Sequence, residues 1–169
     1  ALRSVAQWRD PQAQAYFVYD RIEAQAPHVW EWNLHAYRRF DVVAEGPPFT
    51  VRAYSPSGRR SVCIDWYGPP ADFTQTDAFA VAPAAPAGRG LYRPAQWHAV
   101  LRPRAPSAAA SFLAVLRPQC ARRDFAVVVD QTSGAATIDL GPEADAPADR
   151  PARRIVFDHG VVRTEGAVD

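Results

Sequence analysis

"VWEWNLHAY", residues 29–37, sets two tryptophans one residue apart and interleaves polar side chains with them. Extended as a strand, it points Trp30, Trp32, Leu34 and Ala36 to one side. Val29, Glu31, Asn33, His35 and Tyr37 point to the other. The first side is apolar and bulky, and large aromatics on alternate strand positions fill sandwich interiors, so Trp30 and Trp32 are assigned to a core. The second side is a row of hydrogen-bonding groups. Glu31, Asn33 and His35 are therefore the candidate binding residues of the chain.

The same period-two alternation recurs along nearly the whole length. "LRSVAQW" (2–8) and "YFVYDRIEA" (16–24) read as a hairpin, and "QAP" (25–27) is expected to turn the chain into the tryptophan strand. "FTVRAY" (49–54) and "SVCIDWY" (61–67) flank the turn-forming "SPSGRR". Further pairs are "QWHAVLR" (96–102) with "ASFLAVLR" (110–117), and "DFAVVVD" (124–130) with "AATIDL" (135–140). "RRIVFD" (153–158) and "VVRTE" (161–165) surround "HG", a good two-residue hairpin turn. No window carries an i, i+3, i+4, i+7 apolar pattern, and 16 prolines argue against long helices. The expected fold is all-β: an antiparallel two-sheet β-sandwich, supersandwich-like, of about ten strands in a single domain. Connections are too short for crossover helices, which favours antiparallel pairing. Gly68 to Ala95 reads as a long irregular loop, either functional or folded back as a cap. A second stretch, 141–152, reads as an acidic, prolyl linker.

At 169 residues the chain has the size of one domain, and 48% apolar with 11% aromatic residues is the composition of a packed globule. The 19 basic residues, all arginine, and 18 acidic ones leave a net charge of +1. No global field then steers the chain to nucleic acid or to a membrane surface. No apolar run approaches the roughly 20 residues of a membrane span, and no export signal is visible.

Cys63 and Cys120 lie in separate strand-like runs without a second cysteine at zinc-ligand spacing. Two buried thiols are expected, with one disulfide as the alternative. His28 is expected to open a strand, His98 to lie opposite Trp97 on a solvent face, and His159 to sit in a turn. No histidine pair has the i, i+2 spacing by which one strand supplies two metal ligands. No G-x-S-x-G, H-E-x-x-H, phosphate loop or paired-carboxylate motif occurs. No catalytic residue, metal site or cofactor is assigned.

The stretch "AYFVYDRIEAQAPHVWEWNLHA" (15–36) resembles heparinase II/III-like polysaccharide lyases, where a strand ending in V-x-D-R precedes a tryptophan-rich strand ending in LH. "WHAVLRPRAPSAAASFLAVLRP" (97–118) is similar to the late strand pair of that family. The resemblance implies the C-terminal β-sandwich of a two-part enzyme that cleaves uronic-acid polysaccharides, glycosaminoglycans among them, by β-elimination. It implies an N-terminal α/α-toroid of the same protein as partner, an acidic polysaccharide as ligand, and a periplasmic or secreted location. The family's H-x-D, D-P-G and H-N-T segments do not occur: Asp10-Pro11 is followed by Gln12. No catalytic residue carries over, so the chain is expected to be inactive alone, and the Gly68–Ala95 loop is expected to meet the toroid. The alternatives are an independent carbohydrate-binding module with exposed tryptophans and a structural sandwich of a surface protein.

Overall fold

The computed structural model describes residues 1–9, 14–79, 96–121, 125–140 and 153–166. Among them lie thirteen strands in three antiparallel sheets. A six-stranded sheet has the order β1 (Leu2–Arg9), β2 (Gln14–His28), β9 (Ser107–Pro118), β6 (Ser61–Tyr67), β5 (Phe49–Tyr54), β4 (Asp41–Ala44). A three-stranded sheet holds β3 (Trp32–Ala36), β8 (Trp97–Pro103) and β7 (Ala71–Thr76), in that order. The third runs β10 (Phe125–Asp130), β11 (Ala135–Leu140), β12 (Arg153–Asp158), β13 (Val161–Glu165).

The all-β, antiparallel sandwich architecture is as expected, but it has three layers rather than two. The six-stranded sheet lies in the middle and buries both faces. On one side Ile64, Trp66, Phe112 and Ala114 pack against Trp32, Ala99 and Leu101 of the three-stranded sheet. On the other, Phe17, Tyr19, Leu113 and Val115 pack against Ile138, Leu140, Ile155 and Phe157 of the four-stranded sheet. β9 therefore feeds alternate residues into two cores. That explains its near-continuous apolar run, since a strand buried on both faces has no polar side to show.

Strand boundaries differ from expectation where tertiary pairing overrides local signals. "QAP" does not turn the chain: β2 runs on through Pro27, with a register irregularity between Glu23 and His28. A proline costs little where the ladder is already interrupted. His28 consequently ends β2 instead of opening a strand, and the crossing between layers falls at 29–31. β4 carries no alternation in its sequence because all four of its residues are exposed. β7 lies inside the expected Gly68–Ala95 loop and pairs with β8 from Ala71↔Pro103 to Thr76↔His98. Its Phe73 packs into the first core. Residues 80–95 and 141–152 fall outside the described set, as do the loop's Arg89, Leu91 and Tyr92. The 159–160 hairpin is as expected, with His159 and Gly160 both at positive φ (46° and 81°) between the paired Asp158 and Val161. That is the dihedral demand of a two-residue primed turn.

The cysteines correct the expectation of two thiols: Cys63 and Cys120 form a disulfide. Cys63 faces Arg117 across β6–β9, and beyond Pro118 both Gln119 and Cys120 adopt left-handed backbone (φ 54°). Two such residues in succession curl the chain back onto β6, where Gln119 N–H donates to the Ser61 carbonyl (2.8 Å). Beside the bridge, Asp65, fully buried, accepts from Arg117 Nε (2.6 Å) and Nη2 (3.1 Å) and from Thr50 Oγ1 (2.8 Å). A buried carboxylate is tolerable only when paired and hydrogen-bonded in this way.

The disulfide closes a loop of sequence separation 57, which the chain-entropy argument values at about 4 kcal/mol at most. The double variant Cys63→Ser/Cys120→Ser should accordingly lose about 2–4 kcal/mol in urea denaturation. A loss below about 0.5 kcal/mol would show that the bridge does not constrain the unfolded chain.

Candidate functional site

The stretch 29–37 is built by β3 and the crossing segment before it. Its alternation is the expected one: Trp32 is buried, Trp30, Leu34 and Ala36 are half-buried, and Glu31, Asn33 and His35 are exposed. The inner side is anchored by polar contacts as well as packing. Trp32 Nε1–H donates to Asp20 Oδ2 (3.1 Å), and Trp30 Nε1–H donates to the Ser107 carbonyl (3.0 Å). Asp20, from the "VYDR" of β2, also takes a two-pronged contact from Arg3, Nε to Oδ1 at 2.6 Å and Nη2 to Oδ2 at 2.8 Å. That hydrogen bond raises the Arg3 pKa above its ordinary value; burial opposes it and the Asp20 charge adds to it.

With the tryptophans held inside, Glu31, Asn33 and His35 share the outer surface of the three-stranded sheet, and cross-strand neighbours complete it. β3 and β8 place His35 directly opposite His98 and Asn33 opposite Val100. The two imidazoles stack at 4.7 Å between centroids with planes 15° apart. Phe79 flanks the pair, 6.5 Å from His35 and 6.3 Å from His98. His98 Nε2–H donates to Asn33 Oδ1 at 2.8 Å. Glu31 pairs with Arg102 through Nε (3.0 Å) and Nη2, and Asp72 of β7 pairs with Arg104 (2.8 Å).

All three sequence candidates therefore meet on one surface. His98, Arg102, Arg104, Asp72 and Phe79 belong to it as well. His98 was legible as solvent-facing from its alternation with Trp97. Its partnership with His35 was not, because it depends on the β3–β8 register. Asp72 reaches the surface only through the β7–β8 pairing, which sets it opposite Arg102. The surface offers acceptors (Glu31, Asp72), donors (Arg102, Arg104) and amphoteric groups (Asn33, the imidazoles) over a flat sheet. Such a surface can hydrogen-bond a polar, extended ligand. Among the described residues no three His, Cys, Asp or Glu side chains converge as a metal cage requires.

The tryptophans do not form an exposed platform: Trp32 and Trp66 are buried, and Trp8, Trp30 and Trp97 are half-buried. Arginines cover two of them, Arg39 over Trp97 and Arg153 over Trp8, each at 5.8 Å from the ring centroid. Compared with protein-family models and with curated proteins, the chain finds no match.

The two sides of β3 should respond oppositely to truncation. Trp32→Ala is expected to cost about 3–5 kcal/mol, as for other buried aromatics, with less for half-buried Trp30. Glu31→Ala, Asn33→Ala and His35→Ala should each stay within about 1 kcal/mol, since exposed ion pairs and hydrogen bonds contribute little. Guanidinium denaturation of the five variants checks this, and a reversed order would mean that the strand faces the other way.

Proposed function

We propose that this chain is the C-terminal β-sandwich portion of a heparinase II/III-like polysaccharide lyase. In that reading it is non-catalytic alone and partners an α/α-toroid of the same protein. It presents the outer face of its three-stranded sheet to an acidic, uronate-containing polysaccharide. One observation carries the reading. The two stretches that bear the resemblance, 15–36 and 97–118, each supply one strand to the six-stranded and one to the three-stranded sheet. They pair with each other in both: β2 with β9, and β3 with β8. Asp20 of the first element bonds Trp32 of the second, and Trp30 bonds Ser107 at the start of β9. The quoted motifs are one interlocked unit, so it makes physical sense for them to occur together.

Two further features support it. The disulfide suits an oxidising, extracytoplasmic compartment. The Glu31–Arg102, Asn33–His98 and Asp72–Arg104 arrays offer both donors and acceptors, which a hydroxyl-rich anionic chain needs. In the β-elimination that the resemblance implies, a base removes the proton beside the uronate carboxylate and an acid assists the leaving oxygen. Those roles fall to the toroid, and this sheet's part is to hold the polymer.

The chain incubated with alginate, heparan sulfate and hyaluronan should give no unsaturated-uronate absorbance. It should nevertheless bind at least one of them, more weakly as salt rises. Arg102→Ala and His98→Ala should each weaken that binding by roughly threefold or more. Binding unaffected by either substitution, or a sustained rise in absorbance, would refute the proposal.

A further inference from the structure

The four-stranded sheet ends in a strand with one free side. β13 is the last member of its sheet and, among the described residues, pairs with β12 alone. All five of its residues, Val161–Glu165, are exposed. An exposed strand edge is a template for another strand, and proteins that avoid such pairing place proline, a bulge or charges there. β13 has no proline, and its register with β12 is unbroken from Asp158↔Val161 to Arg154↔Glu165. It does carry charges, Arg163 and Glu165. Both stand on the outer face, because the alternate positions Val162 and Thr164 lie opposite Phe157 and Ile155 of the core. Their signs are opposite, and that decides what the edge can accept.

The two-residue turn fixes which backbone groups of β13 are free. Asp158 and Val161 flank it and form a hydrogen-bonded pair, and the pattern alternates along the ladder from there. Val161, Arg163 and Glu165 therefore bond β12, whereas the N–H and C=O of Val162 and Thr164 point away from the sheet. A second β13 added antiparallel can use these free groups in more than one register. With Arg163 opposite its own counterpart, two guanidinium groups face each other, which is unfavourable. With Val162 opposite its counterpart, the overlap runs into the turn at Gly160. With Thr164 opposite its counterpart, Arg163 of each copy stands opposite Glu165 of the other. Those are non-hydrogen-bonded positions, where cross-strand side chains come closest. Within one chain neither charge has a comparable neighbour. Arg163 lies opposite Val156, and Arg154, opposite Glu165, donates to Asp139 (2.6 Å).

We propose that the free edge of β13 docks a second copy of this chain, with the two β13 strands antiparallel about a two-fold axis at Thr164. Thr164 exchanges backbone hydrogen bonds with its counterpart, and Val162 does so with Gly166 of the second copy. Arg163 and Glu165 close an ion pair on each side of the axis, and the two four-stranded sheets become one. A strand pair this short buries little area, so the dimer is weak and depends on concentration. It forms on the layer opposite the three-stranded sheet, and it holds or fails independently of the lyase reading.

Sedimentation equilibrium of the chain, carried up to about 1 mM, should show a monomer–dimer equilibrium. Arg163→Glu and Glu165→Arg each set like charges opposite one another, so each variant alone should dimerise roughly tenfold or more weakly. Mixed together, the two variants are complementary at both positions and should form a heterodimer about as readily as the unaltered chain forms its dimer. Both positions are exposed, and unchanged circular dichroism shows that each variant is folded. Thr164→Pro removes an outward-pointing N–H without touching the bonds to β12, and it should abolish the dimer as well. A monomer at every concentration overturns the proposal and leaves the edge to a strand of some other protein. A dimer that Arg163→Glu does not weaken, or single variants whose mixture fails to associate, overturns it too.

Discussion

Everything in this fold depends on β9 being buried on both sides. From Ala110 to Val115 its side chains alternate between two cores, Phe112 and Ala114 into one and Leu113 and Val115 into the other. Each outer sheet needs β9 as a floor. Because neither side of this stretch faces water, each of its polar groups must find a specific partner. Ser111 accepts from Tyr19 (3.3 Å), and Arg117 is taken up by Asp65. Where β6 ends and β9 continues, the backbone of Ser111 would be left open. The Gln131 side chain fills that gap, donating to the Ser111 carbonyl (2.8 Å) and accepting from its N–H (3.2 Å).

The same constraint explains where the buried polar groups sit. Asp20 lies between the six-stranded and three-stranded layers and is satisfied from both, by Arg3 in its own sheet and by Trp32 across the gap. A slip of β2 by one residue would turn Asp20 toward the other core and leave the Trp32 indole without its acceptor. Asp65, Arg117 and Thr50 do the equivalent within the middle sheet, tying β5, β6 and β9 in one register. Breaking such pairs is costly because the remaining charge stays buried. Local alternation alone would allow several registers, and these contacts discriminate among them.

What could be read from the sequence follows from this division. Strands with one wet face, such as Trp32–Ala36 and Ala135–Leu140, announce themselves by alternation, and so do the Glu31, Asn33, His35 set and the His159–Gly160 turn. The third layer was in principle legible too, because "SFLAVL" shows no polar period. Its meaning emerges only once two separate partners claim its two faces. The disulfide was not legible. Cys63 and Cys120 approach each other through the non-local β6–β9 pairing and two left-handed residues that no local signal demands. The site was half legible for the same reason: one strand shows its own row, but not which row the register sets beside it.

The two outer sheets also differ in what they turn to solvent, and the difference bears on function. The four-stranded sheet exposes apolar side chains such as Val128 (61%), Val161 (47%) and Val162 (39%), beside an Arg154–Asp139 pair. The three-stranded sheet gathers two arginine–carboxylate pairs, an amide–imidazole bond and a stacked imidazole pair around a single strand crossing. Exposed pairs of this kind contribute little to folding, so stability gives no reason to concentrate them on one surface. Ordering long side chains into a flat array is entropically unfavourable, and a ligand that uses the array offsets that cost.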